Sequence, residues 1–281
     1  MRGGEKSTDT REKRGNPLFS LSSFLFSLPS VTLRWLPVWR RNLRVWRKLS
    51  APALIGNFGE PLLYLLALGY GLGGFVGEVK GLPYVVFLAS GIVCASAMNT
   101  ATFEGLYSAY TRMAVQNTWG GMLAAPLAID DIVLGEIIWT ATKSLISAAP
   151  ILIVAALLGA VHDWQALWVL PVVFVTGLCF GAMALVVTAL AKSYDFFIYY
   201  FTLVITPLFL VSGIFFPLEG VPRAVQIGAQ LLPLSHAVEV VRPLMTGQPL
   251  HNVLLHLLVP LLYASAAFWL ATVLLRRRLT S

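Results

Sequence analysis

Six apolar runs dominate the chain, at roughly 53–74, 83–103, 133–159, 167–190, 196–216 and 252–275. Each approaches or exceeds the roughly 20 apolar residues that a membrane-crossing helix needs. The stretch between the fifth and sixth runs, SGIFFPLEGVPRAVQIGAQLLPLSHAVEVVRPLMTG over 212–247, is too broken to cross. Pro217, Pro222, Pro233 and Pro243 interrupt it, and because proline removes a backbone donor and clashes with the preceding turn, no helix there should exceed roughly 12 residues. Two short helices are expected, from about Pro222 to Leu232 and from about His236 to Met245. Pro222 suits the first turn of one, Ser235 can cap the other, and Gly247 suits its exit. Both carry Arg223, Glu239 or Arg242 among apolar residues, the pattern of a protein-packed or interfacial segment.

Ahead of the apolar runs, residues 33–50 are two-faced at about 100° per residue. Trp35, Leu36, Trp39, Leu43, Trp46 and Leu49 make one stripe, and Arg34, Arg40, Arg41, Arg44, Arg47 and Lys48 make the other. This predicts an amphipathic interfacial helix, with tryptophans at headgroup depth and arginines toward the cytoplasm and anionic lipid. It can serve as an anchor alone or also touch a cytoplasmic partner. Residues 1–32 read as a disordered cytoplasmic tail. Within it, 18–28 has the length of a signal-peptide core, but no small-residue cleavage site follows, and cleavage would leave the arginine cluster on the wrong side of the membrane.

Composition agrees with the pattern. Of 281 residues, 57% are hydrophobic and 12% charged, and the mean hydropathy is +0.77, values of an integral membrane protein. The net charge of +7 is topological in origin. Sixteen of the twenty Lys and Arg fall in the N-terminal region, the loops at 104–132 and 191–195, or the Arg276–Arg278 tail. By the positive-inside bias both termini are cytoplasmic and the 212–247 stretch is external. A nucleic-acid role does not follow from such a distribution. Cys94 and Cys179 lie inside apolar runs, which suits neither a disulfide framework nor a metal site.

The 104–132 loop looks structured. Tyr107, Tyr110, Met113 and Asn117 recur at helical spacing beside Arg112 and Gln116, and Gly120-Gly121 should stop that helix. Such a helix can fit a groove on another protein, or be a surface loop helix without a partner. Two charges lie within apolar runs, Glu60 about 10 Å into the first at 1.5 Å per residue and Lys143 at similar depth in the third. They can pair, or each can snorkel toward the cytoplasm. No phosphate-cradling GxxxxGK[ST] loop, HExxH or GxSxG pattern is present. Asp130-Asp131 sits where acids favour the start of the third membrane helix. His236, His251 and His256 lack companions at ligand spacing, so no catalytic and no metal residue is assigned.

Several segments in order carry a resemblance: VWRK at 45–48, GYGLG at 69–73, FLASGIV at 87–93, TFE at 102–104, DIVLGEIIW at 131–139, YDFF at 194–197, SG-FFP, LLPLSHAVEVVRPLM and the closing Arg276-Arg277-Arg278. Over about 35–281 the chain resembles the ABC-2 family of transporter permeases, and within it the nodulation protein J group, which exports lipo-chitooligosaccharide. The resemblance implies an all-α transmembrane domain over 52–278 with six spans, the amphipathic N-terminal helix and an outer re-entrant helix pair over 213–245 that gates or only packs. It implies a half-transporter of the bacterial inner membrane: two permeases pair, each binds a separate cytoplasmic ATPase that holds the ATP and Mg, and an amphiphilic glycan or lipid is the substrate. The family's coupling helix falls on about 105–119, which assigns docking to Tyr110, Arg112, Met113, Gln116, Asn117 and, just beyond, Trp119. An ABC-type drug or lipid efflux permease is the nearest alternative. An ion-coupled carrier should show paired midplane acids or an inverted repeat, and a membrane transferase should show a nucleophile with its acid or base; neither signature is found.

Overall fold

The structure, a computed structural model, describes residues 33–48, 50–161 and 163–280, with the side chains of 50–58, 60, 61 and 280 set aside. The tail expected over 1–32 and the side chain of Glu60 lie outside the described residues. The chain runs α1 (Trp35–Arg47), α2 (Ser50–Gly71), a small hairpin of β1 (Glu78–Val79) and β2 (Leu82–Pro83), then α3 (Tyr84–Phe103), α4 (Thr118–Leu123), α5 (Ile129–Leu157), α6 (Val169–Leu190), α7 (Asp195–Tyr200), α8 (Thr206–Val211), α9 (Arg223–Leu231), α10 (Pro233–Thr246) and α11 (Val253–Thr280). The hairpin pairs Glu78 with Pro83 and Val79 with Leu82. It closes through Lys80 and Gly81, both at positive φ, as a two-residue turn requires.

Among the described residues four helical stretches are long and apolar enough to cross a membrane: Tyr84–Val115, Ile129–Leu157, Trp164–Leu190 and Val253–Leu279. These match the second, third, fourth and sixth expected spans. The first and fifth fall on shorter described apolar stretches, Leu62–Val76 and Asp195–Val211. The fifth ends early because Ser212 and Gly213 leave the helix, Gly213 at φ +74°. α9 and α10 meet at 88°, the corner falling on Leu232 in an extended conformation, as the residue before a proline prefers.

Three expectations for these segments need correction. The prolines do not hold α10 to roughly 12 residues or to a start at His236: it runs 14 residues from Pro233, with Pro243 inside it. The ring removes a backbone donor only in the closing turns, and Gly247 at φ +70° then ends the helix as expected. Ser235 is not the cap, because Pro233 already occupies the first turn and the Ser235 hydroxyl has no partner. The second span does not give way to a loop at residue 104: the helix continues through two π turns, Glu104–Ser108 and Thr111–Val115. It breaks at Asn117, in the left-handed conformation, whereas Gly120 and Gly121 lie inside α4.

The core is α3 packed against α5 and α6. In a lipid environment apolar side chains gain little by leaving lipid, so helices associate through small residues that let backbones approach. α6 supplies Gly177 and Gly181, one turn apart, against Thr140, Ala141 and Ser144 of α5. A Cβ on Gly177 would lie 2.7 Å from the Ala141 Cα, and one on Gly181 would lie 1.8 Å from Thr140 Oγ1. That hydroxyl cannot simply rotate away, since it donates to the Ile137 carbonyl at 2.7 Å. The polar side chains of the interface turn inward: Ser144 Oγ donates to the Ala97 carbonyl at 2.9 Å and Ser96 and Ser147 share a bond at 3.0 Å. At its end α6 is closed by Arg278 of α11, whose Nη1 donates to the carbonyls of Thr188, Ala189 and Ala191, a cation at the negative end of a helix dipole.

Overpacking at this contact has a readable cost. Gly181→Ala is expected to destabilise the protein by about 1–3 kcal/mol in reversible unfolding by SDS, and adding Thr140→Gly to recover part of the loss. Unchanged stability of Gly181→Ala would refute the close approach.

Candidate functional site

Four charged side chains meet inside the helical bundle at the end that carries α1 and the Arg276–Arg278 tail. Glu136 of α5 is fully buried and Glu104, at the first π turn, is 4% exposed. Arg112 lies between them, with Nε donating to Glu136 Oε1 at 3.0 Å, Nη2 to Glu136 Oε2 at 2.5 Å and Nη1 to Glu104 Oε1 at 2.8 Å. Lys143 Nζ donates to Glu104 Oε2 at 2.9 Å. Two indoles complete the set, Trp139 Nε1 to Glu104 Oε1 at 2.8 Å and Trp119 Nε1 to Glu136 Oε1 at 3.2 Å. Each carboxylate thus accepts three bonds and the four charges sum to zero, the condition under which buried ions are tolerated.

Local sequence explains how these residues converge. Glu136, Trp139 and Lys143 stand at i, i+3 and i+7 on α5, one face of a helix. Glu104 and Arg112 are eight residues apart, which a regular α-helix would set about 80° apart around its axis. The π turn at Glu104–Ser108 fits an extra residue between them and brings the pair to within about 20° of one face. Asn117, the αL residue that ends the extension, then folds α4 back so that the Trp119 indole reaches Glu136.

The extension has a second set of anchors. Tyr110 donates its hydroxyl to the Lys192 carbonyl at 2.7 Å, and Thr111 and Tyr194 share a bond at 2.7 Å. Tyr107, Tyr110, Tyr194 and Phe197 pack ring against ring, and Arg278 lies over the Tyr110 ring at 5.9 Å. Between this site and α1 is a cavity of about 320 Å³, lined by Arg41, Asn42, Trp46, Ser108, Thr111 and Gln116 together with Glu104, Arg112 and Lys143. Burial foremost, and then the neighbouring Arg112, push the Arg41 guanidinium below its ordinary pKa, with Glu136 opposing them.

The residues expected to form a docking helix separate into two groups. Tyr110, Met113 and Trp119 are buried, and Arg112 is 11% exposed with its charge already used inside the protein. Gln116 and Asn117 are exposed, together with Val115. Lys143 takes Glu104 as its partner, whereas the side chain of Glu60, the partner expected for it, lies outside the described residues. The amphipathic helix keeps Arg40, Arg44 and Arg47 exposed. Its other face meets protein as well: Val38 and Asn42 are buried, Trp39 Nε1 donates to Thr142 Oγ1 at 2.9 Å and Trp46 packs edge-on against Trp139. Trp35 meets α5 through its backbone, its carbonyl 2.9 Å from where a Gly135 Cβ would be. The sequence reading missed Glu104 and Glu136 as intramembrane charges, although Glu136 stands in the third apolar run as plainly as Lys143 does.

At the opposite end Arg242 is buried rather than solvated. It donates to Ser90 Oγ at 3.1 Å and to the Gly213 carbonyl at 2.8 Å, and stacks over Phe87 at 3.7 Å. Pro233 and His236 are also buried, Pro217 and Pro222 border the turn before α9, and Glu239 is exposed. Lys80 of the hairpin binds Glu219 at 2.6 Å. Burial raises the Glu219 pKa, but the bond and charge of Lys80 outweigh it and hold that carboxyl below the usual range. No group of three or more metal-ligating side chains occurs among the described residues.

The ABC-2 type transporter family matches residues 32–246. The chain belongs to that family. The ABC-2 protein is similar to nodulation protein J of Rhizobium leguminosarum bv. viciae, 49% identical over 253 residues that cover 90% of this chain and 98% of the relative. Nodulation protein J of Rhizobium meliloti (strain 1021) is 46% identical across 91% of this chain and 98% of its own length. A more distant relative is the inner membrane transport permease YadH of Escherichia coli (strain K12), 24% identical across 73% of this chain and 78% of its own. The chain is therefore an ABC transporter permease, the membrane subunit of a transport system, near the nodulation protein J group.

The charge balance of the ABC-2 permease site can be tested by a double-mutant cycle. Arg112→Ala leaves two buried carboxylates against one lysine and is expected to cost about 3–5 kcal/mol. Combining it with Glu136→Ala keeps the neutral Glu104–Lys143 pair, so the double variant should be more stable than the sum of the two single losses predicts. Additive losses in SDS unfolding would show that the four groups do not act as one network.

Proposed function

We propose that this chain is the permease half of an ATP-driven exporter in the bacterial inner membrane, two copies of which pair and each bind a cytoplasmic ATPase subunit. In this reading the protein has six spans with both termini cytoplasmic, as the distribution of Lys and Arg favours. The α9–α10 pair re-enters from the outer face, and ATP and Mg belong to the partner subunit. The cargo is a lipo-oligosaccharide or a related glycolipid or polysaccharide. The names of the relatives support this cargo, together with the resemblance of the motifs to the nodulation protein J group.

One observation carries the coupling role: the buried Glu104–Arg112–Glu136–Lys143 set clamps an extension whose exposed tip is Val115, Gln116 and Asn117. A surface turn held this firmly transmits a push, because a charge pair buried in a packed core has discrete arrangements and does not deform continuously. α3 carries that push along its length. Ser90, which holds Arg242 of α10, and Glu104, which holds Arg112, are 14 residues apart on the same chain segment, or about 21 Å of helix. ATP binding in a partner at one end thereby biases the α9–α10 corner at the other.

The docking assignment predicts the effect of charge at the tip. Val115→Asp with Gln116→Glu should insert and fold normally, with unchanged SDS unfolding, yet lose most co-purifying ATPase and export. Full retention of the ATPase by that folded variant would move docking elsewhere.

A further inference from the structure

We propose that the cavity between α9, α10 and α11 is a binding site for an uncharged polyhydroxylated group, the sugar head of an amphiphile. This rests on the exporter reading, to which it adds a place where cargo is recognised. The cavity measures about 260 Å³ and is lined by Glu219, Gln226, Gln230, Ser235, His236, Glu239 and His256 with Leu218 and Ala229. That volume lies just below the roughly 300–1,000 Å³ of pockets for drug-sized molecules and suits one sugar ring. No step of the coupling path uses these polar residues, and the Ser235 hydroxyl among them has no partner.

The hydrogen bonding fixes what the cavity offers. His236 Nε2 lies 2.8 Å from the Gln230 carbonyl, which can only accept, so the proton is on Nε2 and Nδ1 of the neutral ring is an acceptor. His236 Nδ1 lies 2.8 Å from His256 Nδ1, so His256 carries its proton on Nδ1. Its Nε2 is then left as a lone pair. The two imidazoles thus relay the direction of a backbone carbonyl across to α11.

The same cavity is lined by the exposed Glu239 and by Ser235, which is 5% exposed and whose Oγ has no partner. Gln226 spends its amide protons on the carbonyls of Glu219 and Val221 and keeps its oxygen. The cavity therefore presents mainly acceptors, and its ligand must bring donors. Lys80 already neutralises Glu219, and the Arg242 guanidinium interacts electrostatically with Glu239, so the cavity offers acceptors without an unbalanced negative charge. A ligand rich in hydroxyl groups matches this better than a polycation does, and no three metal-ligating side chains converge among the described residues. Sugar hydroxyls donate to carboxylate, imidazole and amide oxygen together, and the hydroxyl of Ser235 can both give and accept.

The site is tested on the full-length permease with its ATPase in lipid nanodiscs, which avoids sugar-headed detergents. Isothermal titration with an N-acetylglucosamine tetrasaccharide should show saturable binding to the unaltered protein. Glu239→Gln should weaken it at least tenfold, and Gln230→Trp, at the exposed rim, should abolish it without shifting the thermal midpoint. Absence of binding, equal affinity in both variants, or displacement of the sugar by spermidine as the better ligand would each overturn the proposal. A protein that fails to bind the sugar but still retains its ATPase overturns this site alone and leaves the exporter reading in place.

Discussion

A guanidinium held between two carboxylates inside a membrane domain constrains most of what surrounds it. Arg112, Glu104 and Glu136 cannot each be neutralised by water, so their geometry has to be met by the protein, and Lys143, Trp119 and Trp139 are placed to meet it. Fixing six groups from the extension of α3, α4 and α5 fixes the relative positions of those segments. The contribution is to specificity more than to stability, because desolvation offsets much of the Coulomb gain in such a cluster while the loss of one member leaves a buried charge exposed to nothing but apolar surroundings. The π turns follow from the same demand. The first of them is the means by which two residues eight apart reach one face.

The close packing of α5 on α6 serves this arrangement. Thr140 stands between Trp139 and the Gly177–Gly181 pair, so the face of α5 that carries the charges is held at a defined depth by backbone contact on the adjoining face. α1 closes the same site from outside through Val38, Asn42 and Trp46, which gives an amphipathic helix a structural task beyond lying on a membrane surface. Arg278 and Tyr110 tie in the C-terminal end of the chain. The helix that appears most peripheral in sequence and the last residues of the chain both end up as neighbours of the extension.

The opposite end is built on a different principle. Arg242 has no buried carboxylate; its charge is dispersed over a carbonyl, a hydroxyl and an aromatic face, a softer arrangement than a bidentate ion pair. The α9–α10 corner is joined to the rest through that guanidinium, the His236–His256 bond and the exposed Lys80–Glu219 bridge. Apolar packing adds to these polar contacts, since eleven of the 14 residues of α10 are buried and its apolar side chains join the main core.

The sequence by itself determined the class of protein, the position of every apolar run, the two-faced α1, the proline-broken segment before the last helix and, through the order of its motifs, the family. These follow from composition and from periodicities that repeat every few residues, and such signals are local. It also held the face of α5 that carries Glu136, Trp139 and Lys143, since that spacing needs nothing beyond one helix. Only the tertiary structure decided that Glu104 answers both Arg112 and Lys143, that Arg112 points inward while Gln116 and Asn117 remain at the surface, and that His236 meets His256. A regular helical period places Arg112 away from Glu104, and no local rule announces a π turn. Pairing across helices depends on how deeply neighbouring backbones approach, and at Gly181 and Gly135 that depth is set by atoms far away in the chain.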